Sequence, residues 1–210
     1  MLRSLLILGT GPHSLEMAEI VERANQVEPT WELLGFVSAS RGGTTERRIG
    51  YPVIGGPEVW DEHAEASLLP EFGWPREAEP PRDRLVSLVD PSAVVSRTAQ
   101  VGVGCVIYPY CFVGADARLG DFVFCLSGSV INHDDVIEER VTLASGVLLA
   151  GEVHVEAECY LGQGCMVRQK LRIGRRSTIG MGAVVVADVE PGSIMVGNPA
   201  RPLRAAEPHP

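Results

Sequence analysis

The chain has no paired Cys-x-x-Cys, no long apolar run and no surplus of positive charge, and each absence removes a class of protein. Its five cysteines, Cys105, Cys111, Cys125, Cys159 and Cys165, lack the paired spacing of a zinc site. The apolar run in Met1–Thr10 has Arg3 inside it and ends in glycine. That is too short for a signal peptide or a membrane span, so the expectation is a reduced, cytoplasmic protein with no membrane partner. A net charge of −9 argues against general nucleic-acid binding.

What is present is a period of six. From Val89 to Val185 every sixth residue is Val, Ile or Leu except Cys125, although these three residue types make up only about a quarter of the chain. The position four residues after each aliphatic is small or of medium size, broken only by Asp135 and Leu171. Fixed-period self-similarity marks a repeat architecture, and a six-residue period points to a parallel β-helix. In such a stack, residues eighteen apart lie one above another and each coil gains stability from its neighbours. Cys105, Cys111, Cys159 and Cys165 fall on the small inward position and Cys125 on an aliphatic one, which reads as compact core filling. Residues 165–204 hold seven basic side chains against Asp188 and Glu190, a local balance of +5 that leaves −14 for the remainder. A basic end on an acidic protein suits a small polyanion such as coenzyme A or, equally, a solvated basic surface.

The N-terminal segment has a different pattern. Ser4–Leu8 reads as a buried strand, Gly9–Ser14 as a glycine turn, Leu15–Asn25 as an amphipathic helix and Trp31–Val37 as a second strand. Strand, glycine turn and helix open a Rossmann-like unit, in which helix N-terminal amides can hold a phosphate. The fingerprint is incomplete: Ser14 replaces the third glycine, and no acidic residue for a ribose follows Val37, which excludes an NAD enzyme. The expected organisation is an α/β Rossmann-like nucleotide- or sugar-binding domain over residues 1–59. An irregular Pro-rich linker over 60–86 follows, then a β-helix over 87–200 and a tail over 201–210.

Two features carry a family resemblance. Gly11-Pro12-His13 follows an N-terminal strand, and a hexapeptide prism with the triplet Asn132-His133-Asp134 closes in Val196-Gly197-Asn198-Pro199-Ala200. Together these resemble the bacterial hexapeptide-repeat sugar acyltransferases that include sialic acid O-acetyltransferases and UDP-4-amino-sugar N-acetyltransferases. The resemblance implies a left-handed parallel β-helix, a homotrimer, acetyl-CoA as co-substrate and no metal. His133 sits at a turn position that points outward. An outward imidazole flanked by carboxylates can serve as a general base near neutral pH, which acyl transfer from a thioester to an amine or hydroxyl requires. The family assigns that role to this histidine, with Asp134 as its partner. Asp135 occupies an inward position where a carboxylate is costly unless bonded; it either shares in orienting His133 or bonds backbone amides beneath it. Gln163 and Met181, eighteen apart, should stack along one edge with Thr142 beside them. The family places acetyl-CoA against residues at these positions, in a groove between neighbouring prisms. Gly11, Pro12 and His13 inherit contacts to the sugar-nucleotide acceptor.

The chain departs from the nucleotide-sugar members at three places: Ser38-Ala39 follows the second strand where they carry an acid, residues 60–84 lack their arginine helix, and Leu126 stands where many have asparagine. The leading expectation is an acetyl-CoA-dependent N-acetyltransferase acting on an amino group of a nucleotide-linked sugar. O-acetylation of a sialic-acid-like or other sugar is the alternative, since His133 serves both. A non-catalytic hexapeptide-repeat scaffold is the reading from another class. A zinc enzyme on the same prism would need three converging histidines, and the prism contains only His133 and His154.

Overall fold

The computed structural model describes residues 2–39 and 46–203. It divides into two compact units, one comprising 1–91 with 103–106 and the other 92–102 with 107–210.

The first unit is a five-stranded sheet with helices. In chain order it contains β1 (Arg3–Leu8), α1 (Pro12–Val27), β2 (Trp31–Val37), β3 (Arg47–Arg48), β4 (Tyr51–Gly55), α2 (Val59–Glu62) and β5 (Ser67–Pro70). The sheet order is β3-β4-β2-β1-β5; β1 is parallel to both β2 and β5, and β2 is parallel to β4. A central parallel strand is covered on both faces, which is why Leu5, Leu6, Ile7 and Leu8 form an unbroken apolar run and are all fully buried. Helix α1 buries Met17, Ala18, Ile20 and Val21, one apolar stripe. Asn25 ends it: its carbonyl oxygen accepts from the amides of Thr30 and Trp31, and its amide donates to the Trp31 carbonyl. The buried Asp90 carboxylate is paired by Arg23 at 2.7 Å.

Residues 60–86 correct one expectation. They are not an irregular linker, because β5 is fully buried and pairs in register with β1, Leu6 opposite Leu68. Around it, the Trp74 indole donates to the Ala78 carbonyl. The Arg84 guanidinium donates to the carbonyls of Trp60, His63 and Ala66, satisfying backbone groups that have no ladder. A four-residue strand that ends on a proline has no periodicity to betray it.

The second unit is a parallel β-solenoid with three sheets. What we call its first face runs from Phe124–Cys125 through Thr142–Leu143, Tyr160–Leu161 and Thr178–Ile179. The second face is six strands, from Val94–Val95 to Val184–Val185, and the third is five, from Gln100–Val101 to Arg172–Ile173. Every pair up to Val185 is eighteen residues apart, for example Val113 opposite Ile131. The inward column of Val113, Ile131, Leu149 and Val167 is buried, as are Cys111, Ser129, Val147 and Cys165 at the small position. Val95 and Val101 are only half-buried, since a terminal coil has a neighbour on one side alone. All five cysteines are buried thiols. After Val185 the spacing shortens, with Ile179 opposite Met195. Arg201–Pro202 adds an antiparallel strand to Ile194–Val196, so the expected tail begins as a strand; residues 204–210 lie outside the described residues.

Candidate functional site

Most corners of the solenoid turn through one residue with positive φ. At the corner between the second and third faces these are Asp116, Asp134, Glu152 and Lys170, with φ between 59° and 63°. That turn lifts His133 outward: its side chain is 60% exposed and that of Asp134 57%. The His133 Nδ1 lies 2.8 Å from Asp134 Oδ2. With the carboxylate ionised, Nδ1 carries the hydrogen and Nε2 is left with its lone pair. The hydrogen bond to Asp134 raises the His133 pKa above its ordinary value, against a smaller opposing effect of desolvation, and the charges of Glu152 and Asp135 add to the rise.

The imidazole is seated on a missing side chain. A Cβ at Gly151, the residue eighteen beyond His133, would lie 2.6 Å from Nε2 and 2.7 Å from Cε1. Asp135 is fully buried below. Its Oδ2 accepts from the Asn132 amide at 2.7 Å and its Oδ1 from the Val153 amide at 2.8 Å. It therefore ties the backbone before His133 to the coil above and makes no bond to the imidazole. Burial pushes its carboxyl up to about 7, partly offset by the two amide donors. The Asn132 side chain donates to the Leu149 carbonyl at 2.8 Å. His154, also in the prism, is engaged with Glu138 at 2.8 Å.

The corner between the first and second faces carries glycine at the positive-φ position in four successive coils, Gly128, Gly146, Gly164 and Gly182. Arg140, Glu158 and Arg176 adopt the same φ at the third corner, so the turn does not demand glycine. A Cβ at Gly128, Gly164 or Gly182 would touch nothing within 4 Å. This edge is bare. Gln163 and Met181 are exposed on it, one coil apart, the Gly182 amide donating to the Gln163 carbonyl. Thr142 is not beside them: it lies within the first face, opposite Tyr160, and is buried. Ser145 holds that edge position instead, its carbonyl accepting from Gly164. The basic segment is also less free than its charge count implies. Lys170 pairs with Glu152, Arg172 and Arg175 with Glu156, and Arg176 with Glu158.

In the first unit, Gly11 precedes α1 and Pro12 and His13 begin it. His13 Nδ1 is 3.1 Å from Glu16, and its ring meets Phe72 edge-on at 6.2 Å. The glycine turn is not an open phosphate cradle. The carboxylate of Glu71 lies over it, accepting from the Ser14 hydroxyl, and a Cβ at Gly9 would overlap its carboxyl carbon. Nothing in the sequence spacing marks Glu71, which lies just beyond β5. The second face carries another unflagged feature, legible from the eighteen-residue spacing: its outward residues are Val94, Phe112, Val130, Leu148, Met166 and Val184, and Val94, Phe112, Leu148 and Met166 are at least 40% exposed. The third face presents Gln100, Arg118, Val136, His154 and Arg172.

Among the described residues no helix is long and apolar enough to cross a membrane, and no cluster of three His, Cys, Asp or Glu could hold a metal ion.

The relatives and structural neighbours of this chain are bacterial sugar acetyltransferases of the hexapeptide-repeat family, as the sequence resemblance indicated. No family model matches the chain. GDP-perosamine N-acetyltransferase of Escherichia coli O157:H7 is 33% identical over 124 residues, 57% of this chain and 56% of that protein. Acyl-[acyl-carrier-protein]–UDP-N-acetylglucosamine O-acyltransferase of Agrobacterium fabrum is 38% identical over 86 residues, 41% of this chain and 32% of that protein. This chain thus spans between a third and just over half of those curated relatives. The crystal structure of a histidine-substituted GDP-perosamine N-acetyltransferase from Caulobacter crescentus, in complex with CoA and GDP-perosamine, superimposes with a TM-score of 0.85 at 26% identity, covering 98% of this chain and 99% of that one.

Proposed function

We propose that this protein is an acetyl-CoA-dependent N-acetyltransferase acting on an amino group of a nucleotide-linked sugar. The observation that carries the reading is the exposed His133–Asp134 pair, with Nε2 free of any partner among the described residues. The acceptor amine attacks the thioester carbonyl, forming C–N as C–S breaks. Nε2 takes the proton that the nitrogen loses, and the CoA thiolate leaves and is protonated. Asp134 holds the imidazole in the tautomer that presents Nε2 and stabilises the imidazolium. Transfer is direct, with no covalent enzyme intermediate. Asp135 is a positioning residue, fixing the backbone on which His133 stands.

We read the solenoid as a left-handed β-helix, from its hexapeptide repeat and its relatives, and the N-terminal sheet as Rossmann-like, with Gly11, Pro12 and His13 towards the acceptor. The apolar second face supports a homotrimer, because exposed contiguous apolar columns mark association surfaces. Three prisms with this face towards a common axis meet edge to edge, setting the His133 edge of one against the glycine edge of the next. A bare edge admits the pantetheine arm between the two copies. Gln163 and Met181 line it, and Thr142 serves only through the wall behind. From Gly128 to Gly182 the edge spans about 14 Å at roughly 4.8 Å per coil. The test is thiol release from acetyl-CoA with GDP- and UDP-linked 4-amino sugars, free sialic acid and no acceptor. Release with an amino sugar, giving an N-acetyl product, supports the reading. Release with sialic acid alone makes the enzyme an O-acetyltransferase, and no acetyl-CoA binding at all makes it a scaffold.

A further inference from the structure

The turn that carries His133 has small neighbours on both sides along its own edge of the solenoid. Counting by eighteen, the matching places are Ala115 one coil before it and Gly151 one coil after, and two coils before it stands Arg97. Val95 opposite Val113 and Val113 opposite Ile131 fix that register. The three turns are bonded one to the next: the Asp116 amide donates to the Thr98 hydroxyl at 3.0 Å, and the Asp134 amide to the Ala115 carbonyl at 2.9 Å. The turn of Arg97 closes without its side chain, the Ala99 amide donating to the Ser96 carbonyl at 3.1 Å with the Ser96 and Thr98 hydroxyls 3.2 Å apart. Arg97 is exposed and, among the described residues, its guanidinium has no acid or hydrogen-bond partner.

The two sides of His133 differ. The bare glycine edge begins at Gly128, in the coil of His133, and continues only through the later coils to Gly182. Eighteen before Gly128 the same place holds Tyr110, 76% exposed at a φ of 62°, a conformation that a bulky residue rarely adopts. With the acyl donor along the glycine edge, the side of His133 towards the earlier coils is left to the acceptor. On that side the edge carries Arg97, then the exposed Asp116, then Asp134. A nucleotide-linked 4-amino sugar carries the opposite charges in the same order: phosphate on C1, then across one ring an amine that is an ammonium in neutral water. Two coils span about 10 Å at roughly 4.8 Å per coil, a length that a pyranose bearing a phosphate fills. The thioester of acetyl-CoA is separated from its own phosphates by the whole pantetheine arm, which is longer.

We propose that Arg97 is the phosphate anchor of the acceptor, holding the sugar-linked phosphate through its guanidinium so that the amine on the far side of the ring falls at His133. A guanidinium suits that task because its fork of N–H donors matches two phosphoryl oxygens. The inference rests on the nucleotide-sugar reading above. It makes Arg97 a specificity-determining residue, selecting acceptors by the charge they carry one ring away from the amine.

The test is steady-state kinetics of the full chain, Arg97→Gln, Arg97→Lys and Arg168→Gln, with unchanged thermal unfolding as the check on folding. The acceptors are GDP- and UDP-linked 4-amino sugars and the methyl glycoside of the same amino sugar, which has no phosphate. The expected result in Arg97→Gln is a KM for the nucleotide-linked sugar roughly tenfold higher or more, with kcat and the KM for acetyl-CoA little changed and Arg97→Lys intermediate. Added salt should raise that KM in the unaltered protein and have little effect in Arg97→Gln. Arg168→Gln removes the same charge two coils beyond Asn132, on the donor side, and should leave the acceptor KM unchanged. The methyl glycoside should be a poor acceptor for all four proteins alike. An acceptor KM indifferent to Arg97→Gln overturns this inference alone, as does a loss confined to kcat, a rise in the KM for acetyl-CoA instead, or an equal loss with the methyl glycoside. Failure of the unaltered protein to acetylate any nucleotide-linked amino sugar overturns the nucleotide-sugar reading and this inference with it.

Discussion

At the scale of the residue, the account turns on what surrounds one imidazole. Because the bond to Asp134 raises the His133 pKa, and because a general base must be unprotonated, kcat/KM should fall on the acid side with an apparent pKa above the ordinary histidine value of about 6.5. Replacing Asp134 by Asn removes the charge that favours the imidazolium, so the acid limb should move to lower pH while the maximal rate drops; a pH–rate profile of both proteins checks this. Gly151→Ala places a methyl where the ring sits. The expected outcome is a loss of kcat of tenfold or more with little change in thermal unfolding, since a side chain at an exposed site yields before the coil does. Asp135 acts on stability. Its carboxyl is raised to about 7, against about 3.9 in an unfolded chain. The folded state therefore holds its proton more tightly, and the stability this confers is present below about pH 4 and lost as pH rises through about 7. Asp135→Asn turns an amide towards an N–H donor and should cost about 1–3 kcal/mol, read from denaturant unfolding. His133 and Asp134 were legible from the triplet Asn132-His133-Asp134 at a turn of the repeat, and Asp135 as a break in its small inward position. Gly151 was not, because the sequence shows a glycine but not the ring that lies over it.

At the scale of the element, the repeat was the most legible part of the chain, because burial of one residue in six repeats through coil after coil. The β1-α1-β2 unit was legible for the same reason, through a buried run and a helical stripe. β5 was not, since Ser67-Leu68-Leu69-Pro70 is too short to show a period and ends on a proline, and only its pairing with β1 makes it a strand. The positions that face outward carry information too. The second face repeats apolar residues at eighteen-residue spacing, so Leu148→Asp or Met166→Asp should convert the proposed trimer to monomer in sedimentation while far-UV circular dichroism is unchanged. The glycine edge predicts a different loss. Arg140 and Glu158 show that the turn tolerates side chains, and Asn is among the residues that adopt this conformation most readily. Gly164→Asn should therefore fold and leave the state of assembly unchanged, yet raise the KM for acetyl-CoA about tenfold; unchanged KM would detach the cofactor from this edge.

At the scale of the whole molecule, the proposed trimer sets a neighbouring copy against the solenoid edge as a second wall, so catalysis and assembly are expected to fail together in the second-face variants. The basic balance of residues 165–204 overstated the charge open to a polyanion, because most of those side chains are already paired with acids; two of those pairs, Lys170–Glu152 and Arg176–Glu158, are eighteen residues apart and follow from the repeat itself, which a bare charge count ignores. The central claim is direct acetyl transfer with His133 as the base. It is tested most directly by acceptor-dependent CoA release in His133→Ala, measured beside acetyl-CoA binding. The account predicts a rate lowered about 10²–10⁴-fold, with the acetyl-CoA dissociation constant unchanged and no acetylated enzyme. A variant that keeps its rate, or an acetyl-enzyme that forms without acceptor, would contradict it.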